Sequence, residues 1–228
     1  MSGSAAERAV APMTTFACGV ETDQRSTRWP AKLPGMGMSR TKVVHRLTRA
    51  QERQRPVTIH RKHLDTDVTS GFVLAALDEW VVIQDLLVGA HLDAVVLLRL
   101  DQVTKVEKHD NCAFVRRAVA GHGVTPAGFE CPQDATTGDL LRLADNRSDL
   151  ICTYLETRDS YWLNIGKVLR IGNKRLDLHF IGKDGVWADF AESWKLTDIT
   201  RIEFGGRYIQ ALEEFGEPAP EVTKTVRR

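Results

Sequence analysis

The chain has 228 residues, of which 27% are charged, 43% hydrophobic and 7% aromatic. This hydrophobic fraction is ordinary for a globular protein, so it excludes a fibrous repeat and disorder of the whole chain. With 31 basic and 30 acidic side chains, the formal net charge of +1 argues against a protein that coats nucleic acid with its whole surface.

The charge is unevenly distributed along the chain. Residues 1–55 contain ten basic and four acidic side chains, so this part carries +6 and the remainder carries −5. Residues 1–40 are rich in small and polar side chains and have no hydrophobic period, which predicts a disordered N-terminal arm. Met36 and Met38 stand just before the first periodic segment. We therefore expect translation to start at one of them, and mass spectrometry of the native protein tests this.

Targeting and redox signals are weak. No apolar run approaches the roughly 20 residues that span a bilayer. Glu7 and Arg8 occupy the place where the apolar core of a secretory signal would begin. The four cysteines have no C-x-x-C spacing, which favours reduced thiols over disulfides or a metal site. We expect a cytoplasmic protein without a membrane partner.

A first periodic region covers residues 41–120 and begins with a helix near 41–54. The apolar side chains on one face of this helix are Val43, Leu47 and Ala50, and the basic ones on the other face are Arg46, Arg49 and Arg53. Five short strands are predicted to follow, near residues 57–60, 71–77, 80–85, 95–99 and 102–108. A helix from Phe114 ends the region.

A second region covers residues 136–216, after a linker at 121–135. It repeats the pattern with a helix near 138–145 and a final helix from Arg207. The five strands predicted between them lie near residues 150–155, 162–171, 174–181, 192–196 and 198–204. Residues 217–228 are expected to form a flexible tail.

The two regions are related in sequence. At an offset of 95, Gly71 matches Gly166, and at an offset of 96 the stretch LRLDQVTKVE matches WKLTDITRIE. Apolar residues change phase at the same place in both stretches, which is typical of a sharp bend or bulge in a strand. A glycine within a long strand permits such bending. We therefore predict a mainly β (α+β) protein made of two tandem, small, five-stranded bent β-barrels.

This layout resembles the Sm-like small barrel, a helix followed by five bent strands, and SH3-like closure describes it equally well. The resemblance covers residues 41–119 and 136–212 and rests on the two glycines and the two closing stretches. The chain also resembles an uncharacterised set of bacterial proteins with an ITRIEFGGRY-type segment, Ile199 to Tyr208 here. The Sm resemblance implies ring assembly and RNA binding, but it transfers no site residue because the Sm loop motifs are absent.

Metal, cofactor and catalytic residues are not predicted. The stretch from His60 to Asp67 contains His63 and Asp65 as further metal-ligand types, but a polar loop is the favoured interpretation. Asp78-Glu79 and Gly172-Asn173 are predicted hairpin turns. No nucleophile motif is present, so we expect a protein that is not an enzyme.

Five residues remain as candidate contacts. Arg46, Arg49 and Arg53 form a basic helix face that could meet phosphates, although a solvated outer face is the favoured alternative. Trp187, in a loop, could anchor a partner. Arg207 follows a glycine pair at a helix start and could hold an anion, although a structural turn is the favoured interpretation.

The leading hypothesis is a non-enzymatic interaction module that binds a protein or peptide partner by edge-strand addition. Its simplest alternative is that the two units pack against each other and thereby use up those edges. A second hypothesis is RNA or DNA binding through the basic helix and the N-terminal arm. A third is an unrecognised enzyme, which requires a deep pocket with converging polar groups.

Overall fold

Eleven strands form one sheet in this computed structural model, which describes residues 37–61, 68–158, 163–222 and 224–228. Several predictions fall outside the described residues. They are the disordered arm up to residue 36, the start at Met36, and the ligand types His63, Asp65 and Asp67. No helix in the described part of the chain is long and apolar enough to cross a bilayer.

Unit one, residues 40–121, has the predicted order of one helix, five strands and one helix. Its elements are α1 Arg40–Glu52, β1 Pro56–Arg61, β2 Val68–Ala76, β3 Trp80–Leu87, β4 His91–Arg99, β5 Val103–Lys108 and α2 Cys112–Gly121. A 3-10 turn at Leu100–Gln102 joins β4 to β5.

Unit two, residues 137–215, repeats this order. Its elements are α3 Thr137–Asp145, β6 Ile151–Tyr154, β7 Leu163–Ile171, β8 Arg175–Ile181, β9 Trp187–Lys195, β10 Arg201–Phe204 and α4 Arg207–Phe215. A 3-10 turn at Leu196–Asp198 stands between β9 and β10. The segment expected to be a flexible tail contains a further strand, β11 Thr225–Arg227, which the sequence analysis did not predict.

The strand order shows the internal repeat directly. Unit one has the order β5-β1-β2-β3-β4 and unit two has the order β10-β6-β7-β8-β9, so each places its fifth strand beside its first. The two orders join where β10 pairs antiparallel with β4, with Phe204 opposite Val95. The mainly β, α+β class is confirmed. The two closed five-stranded barrels that the sequence predicts are not confirmed: the described strands form one open sheet, in which the edge of β4 is paired with β10 and that of β9 with β11.

The matched glycines allow the second and third strands of each unit to approach closely. A Cβ atom on Gly71 would lie 2.2 Å from the carbonyl oxygen of Gln84, and one on Gly166 would lie 2.1 Å from that of His179. The strand register then shifts between Val73 and Ala75 in unit one. It shifts between Val168 and Arg170 in unit two, 95 positions later. Both matched glycines therefore stand where any side chain would collide with backbone, close to a register shift between the same two strands of each unit.

The largest apolar core belongs to both units. Trp80 and Leu97 from unit one are buried in it together with Trp194 and Phe204 from unit two. A second core lies under α1, whose buried residues are the predicted Val43, Leu47 and Ala50. A third core lies between the strands of unit two and α4.

A buried ion pair also links the units. A guanidinium nitrogen of Arg61, at the end of β1, lies 2.6 Å from a carboxylate oxygen of Glu156, which follows β6, and the side chains are 1% and 8% exposed. The same carboxylate accepts a hydrogen bond from the hydroxyl of Thr200 at 2.8 Å. Shared core and shared ion pair make the two units one packed body.

Candidate partner-binding groove

Helix α1 has two chemically distinct faces. Its apolar side chains enter the core of unit one, and this fixes the opposite face toward solvent. Arg46, Arg49 and Arg53 all lie on that solvent face, as the spacing of the sequence predicts. The structure thus brings together the three residues proposed as nucleic-acid contacts.

These arginines line a groove between α1 and the paired ends of β1 and β5. The groove has a volume of about 340 Å³. Its basic side chains are Arg46, Arg49, Arg53, Arg55 and Lys108. Its apolar floor consists of Ala50, Pro56, Val57 and Val106. The arrangement places several cations around buried apolar residues.

Sequence reasoning missed Arg55 and Lys108. They reach the groove because β1 begins just after α1 and pairs with β5, where Val57 lies opposite Lys108. Both strands, β1 and β5, were predicted from the sequence. What was not predicted is that they pair with each other. Pairing of the first strand with the fifth would have placed both cations beside the helix.

The groove arginines differ in how they are held. A guanidinium nitrogen of Arg46 donates a hydrogen bond of 2.6 Å to the carbonyl oxygen of Val106 in β5. No acceptor in the described residues binds the guanidinium groups of Arg49 and Arg53, and both residues are exposed. Arg46 is therefore a fixed part of the groove, whereas the other two guanidinium groups are available to a ligand.

The one carboxylate of the groove already has partners within this chain. A carboxylate oxygen of Glu107 lies 2.6 Å from the ammonium of Lys105, and the other lies 2.9 Å from a ring nitrogen of His60. The hydrogen bond from Lys105 lowers the pKa of Glu107, against a smaller opposite effect of burial, and His60 lowers it further. Glu107 thus cancels little of the arginine charge.

The outer edge of β5 is covered along part of its length. The carbonyl oxygen of Thr104 accepts a hydrogen bond of 2.8 Å from the backbone N–H of Met38, and Arg46 occupies the carbonyl of Val106. The edge of β4 is paired with β10, and the edge of β9 is paired with β11. The alternative expectation, that internal packing uses up the strand edges, therefore describes much of this sheet.

Trp187 is the first residue of β9 and does not lie in a loop as predicted, Arg207 is the first residue of α4, and neither lines the groove. The indole N–H of Trp187 donates a hydrogen bond of 2.7 Å to the carbonyl oxygen of Glu217, and its ring lies 4.7 Å from the ring of His179. The backbone N–H of Arg207, at the start of α4, donates a hydrogen bond of 3.0 Å to the carboxylate of Asp93. Both residues thus contact parts of this chain, and the side chain of Arg207 remains exposed.

A second cavity, about 810 Å³, lies where the hairpin turns of the two units approach the start of α3. Asp78 accepts a hydrogen bond of 3.2 Å from the side chain of Gln133, and Glu79 accepts one of 3.1 Å from Arg99. Arg99 also donates to the hydroxyl of Thr137 at 3.0 Å. These carboxylates are bound to separate donors, an arrangement that stabilises turns and does not present a matched acid and base.

The remaining side chains that could carry chemistry are metal ligands and cysteine thiols. Within the described ranges, no group of three His, Cys, Asp or Glu side chains could hold a metal ion. Cys112, Cys131 and Cys152 are free thiols, whereas Cys18 lies outside the described residues. Burial raises the pKa of Cys131 and, much more strongly, that of Cys152. Such thiols are poor nucleophiles.

Comparison with known proteins found no match: no family model, curated protein or solved structure matches this chain.

Proposed function

We propose that this chain is a non-enzymatic interaction protein whose α1–β5 groove binds an acidic, partly apolar peptide segment of a protein partner. The observation that carries the proposal is the convergence of five basic side chains over an apolar floor. Two of these side chains, Arg49 and Arg53, have guanidinium groups that no described residue binds. The proposal includes a cytoplasmic location, which the free thiols support, and kinship with tandem Sm-like or SH3-like barrels, which the repeated strand order supports.

Guanidinium chemistry favours a carboxylate ligand. The planar fork of arginine binds carboxylates through two parallel hydrogen bonds, and a charged hydrogen bond is stronger than a neutral one. Because Glu107 is occupied by Lys105 and His60, it does not compete for the free arginines. An incoming carboxylate would therefore meet cations that it does not have to take from another partner.

The lining of the groove distinguishes a peptide from a nucleic acid. Its bottom is formed by Pro56, Val57 and Val106, which are apolar but buried and so expose little surface to a ligand. Single-stranded nucleic acids bind through aromatic stacking platforms together with basic grooves, and the groove lining contains no aromatic residue. RNA or DNA binding through the same arginines is the alternative hypothesis, and the experiment must distinguish it from peptide binding.

The test uses the full chain and defined probes. A fluorescent peptide of alternating Glu and Leu is titrated by anisotropy, beside the same peptide with Gln in place of Glu and beside a single-stranded oligonucleotide. We expect the Glu peptide to bind, the Gln peptide to bind weakly, and added salt to reduce binding. Preference for the oligonucleotide over the Glu peptide would support the alternative instead.

Charge reversal locates the binding site. The double variant Arg49→Glu and Arg53→Glu should weaken binding of the Glu peptide at least about tenfold, because one charged hydrogen bond contributes roughly 1.5–3 kcal/mol. The matched control reverses Arg116 and Arg117, two exposed arginines on α2 that do not line the groove. Equal loss of binding in both double variants would show that overall charge, and not the groove, attracts the peptide.

A further inference from the structure

The last strand, β11, lies on the edge of β9 at the opposite end of the sheet from β5. It runs parallel to β9, with Val226 opposite Glu192. The backbone N–H of Ala191 donates a hydrogen bond of 3.0 Å to the carbonyl oxygen of Lys224, and that of Arg228 donates one of 3.1 Å to Ser193. A short extended segment is thus bound to this edge through backbone groups.

A buried carboxylate fixes the register of the bound segment. Two guanidinium nitrogens of Arg228 lie 2.9 and 2.7 Å from one carboxylate oxygen of Glu192, whose side chain is 8% exposed. Arg228 has a second partner, because a guanidinium nitrogen of Arg175 donates a hydrogen bond of 2.9 Å to its main-chain oxygen. Because an unpaired buried carboxylate is costly, the edge of β9 requires a cation at this position.

The internal repeat shows that this edge accepts strands. In unit one the fourth strand, β4, binds β10, which is a structural strand of unit two. In unit two the fourth strand, β9, binds β11 at the corresponding edge. The occupants differ: β10 is antiparallel and has four residues, whereas β11 is parallel and has three. The same edge of the repeat therefore holds an integral strand in one unit and a short terminal segment in the other.

The cover on β9 is also incomplete. β9 has nine residues, but β11 pairs only with Ala191, Glu192 and Ser193. The segment before β11 has no regular secondary structure from residue 217 to 222 and contains two prolines, so the helix α4 does not rigidly extend into the bound strand. Outside β9, the segment is bound through the hydrogen bond from Arg175 to the main-chain oxygen of Arg228.

We propose that the outer edge of β9 is a docking site for an extended basic segment of a protein partner, and that residues 224–228 of this chain occupy it until such a segment displaces them. The bound residues define the chemistry of the ligand, an extended segment running parallel to β9 with an arginine that reaches Glu192. Backbone hydrogen bonds provide affinity, and the carboxylate provides selectivity for the cation. This site is separate from the α1–β5 groove and prefers the opposite charge.

The first experiment empties the site in the full chain. Val226→Pro removes a backbone donor from the centre of β11, where proline is not tolerated, and Arg228→Ala removes the cation. A labelled peptide with the sequence VTKTVRR, that of residues 222–228, is then titrated into the double variant and the wild-type protein. We expect at least about tenfold tighter binding to the double variant, because a tethered segment competes at a roughly millimolar effective concentration.

Matched controls define the site and separate it from the groove. Arg227→Ala, at an exposed neighbour, should leave peptide binding at the wild-type level. Glu192→Gln added to the double variant should weaken binding at least about tenfold through loss of the charged pair. Arg49→Glu with Arg53→Glu should leave binding of VTKTVRR unchanged, so failure of the groove proposal and failure of this one are distinguishable.

Two results would overturn the proposal. One is a folded double variant, judged by circular dichroism, that binds VTKTVRR no better than the wild-type protein does. If the double variant fails to fold, Arg228→Ala alone is used, because it leaves the backbone of β11 intact. Equal binding of the labelled peptide by that single variant and by the wild-type protein is the second result that would exclude a displaceable cover.

Discussion

Unit one and unit two have the same strand order, yet their surfaces are covered differently. Helix α1 precedes the first strand of unit one and presents unpaired arginines to solvent, whereas α3 precedes that of unit two and presents the ion pair of Asp139 with Arg142. The fourth strand of unit one is covered by an integral strand, and that of unit two by a terminal segment. Duplication thus preserved the bent sheet and left the outer surfaces free to diverge.

The shared features are those that a bent sheet requires. The close approach at Gly71 and Gly166, the bulges 95 positions apart and the 3-10 turn between the fourth and fifth strands occur in both units. The features that differ are charges and edge coverings, which the bend does not depend on. Function is therefore best sought where the two units differ.

The largest expected effect concerns the shared glycines. Gly71→Ala and Gly166→Ala should each cost about 5 kcal/mol or prevent folding, because the new Cβ meets a backbone oxygen at 2.2 or 2.1 Å. Urea unfolding measures the cost, with Gly172→Ala as control, whose Cβ would lie 3.5 Å from its nearest neighbour. A loss of less than about 1 kcal/mol at either position would contradict the matched bend.

The next effect concerns the ion pair that joins the units. Glu156→Ala should cost about 3–4 kcal/mol, because it removes a buried carboxylate from beside a guanidinium that is 1% exposed. Arg142→Ala, in an exposed pair, should change stability by less than about 0.5 kcal/mol. Chemical unfolding measures the free energy of unfolding of both variants. It is also measured for the double variant Arg61→Met with Glu156→Leu. The double variant should recover much of the loss, and no recovery would mean that Arg61 has other essential contacts.

A smaller effect on stability depends on pH, and it arises from a carboxyl group in unit one that unit two lacks at the matching position. Asp85 in β3 occupies the position that matches Phe180 in unit two, 95 residues later. Burial raises the pKa of Asp85 from 3.8 to about 6, although the charge of Arg201 acts in the opposite direction. The folded chain therefore binds more protons than the unfolded chain between these values, and its stability falls as the pH rises from about 4 to about 6.

Asp85→Asn removes this dependence. We expect the variant to be about 1–2 kcal/mol more stable than the wild-type protein above about pH 7, after allowance for the partial exposure of the carboxyl. Near pH 4 the two proteins should have similar free energies of unfolding, as measured by urea titration. A wild-type protein whose stability rises between about pH 4 and pH 6 more steeply than that of the variant would contradict the raised pKa.

A small effect on stability should come from the arginines that have a large expected effect on binding. Arg49→Glu with Arg53→Glu should change the free energy of unfolding by less than about 1 kcal/mol, because both side chains are exposed and unpaired. Thermal unfolding measured beside peptide binding tests the separation. A large loss of stability would assign these arginines a structural role in unit one that α3 does not need in unit two.

Much of the fold was predictable because it depends on local patterns. The repeat, the four helices and ten of the eleven strands follow from hydrophobic periods and matched residues, and the buried face of α1 was correctly assigned. The strand β11 was missed because it has only three residues, of which Val226 alone is apolar, so no apolar period marks it. Its place depends on Glu192 and on backbone groups of β9, which lie far away in sequence.

The groove was predictable only in part. The arginines of α1 share a face because a helical period places them there, whatever the rest of the chain does. Arg55 and Lys108 join them only through the pairing of β1 with β5. The contact of Glu107 with His60 also depends on that pairing, since His60 lies on β1 and Glu107 on β5, whereas Lys105 lies on the same strand as Glu107.

By itself, the sequence determined that this chain is mainly β, that it contains a duplicated helix-and-strands unit, and that a basic face runs along its first helix. These properties follow from side-chain period, glycine and charge, which act over a few neighbouring residues. Only the tertiary structure decided that β4 pairs with β10, that one sheet and one core serve both units, and that β11 covers β9. Pairing of distant strands is chosen by the competition of whole edges for backbone hydrogen bonds, and no local pattern encodes its outcome.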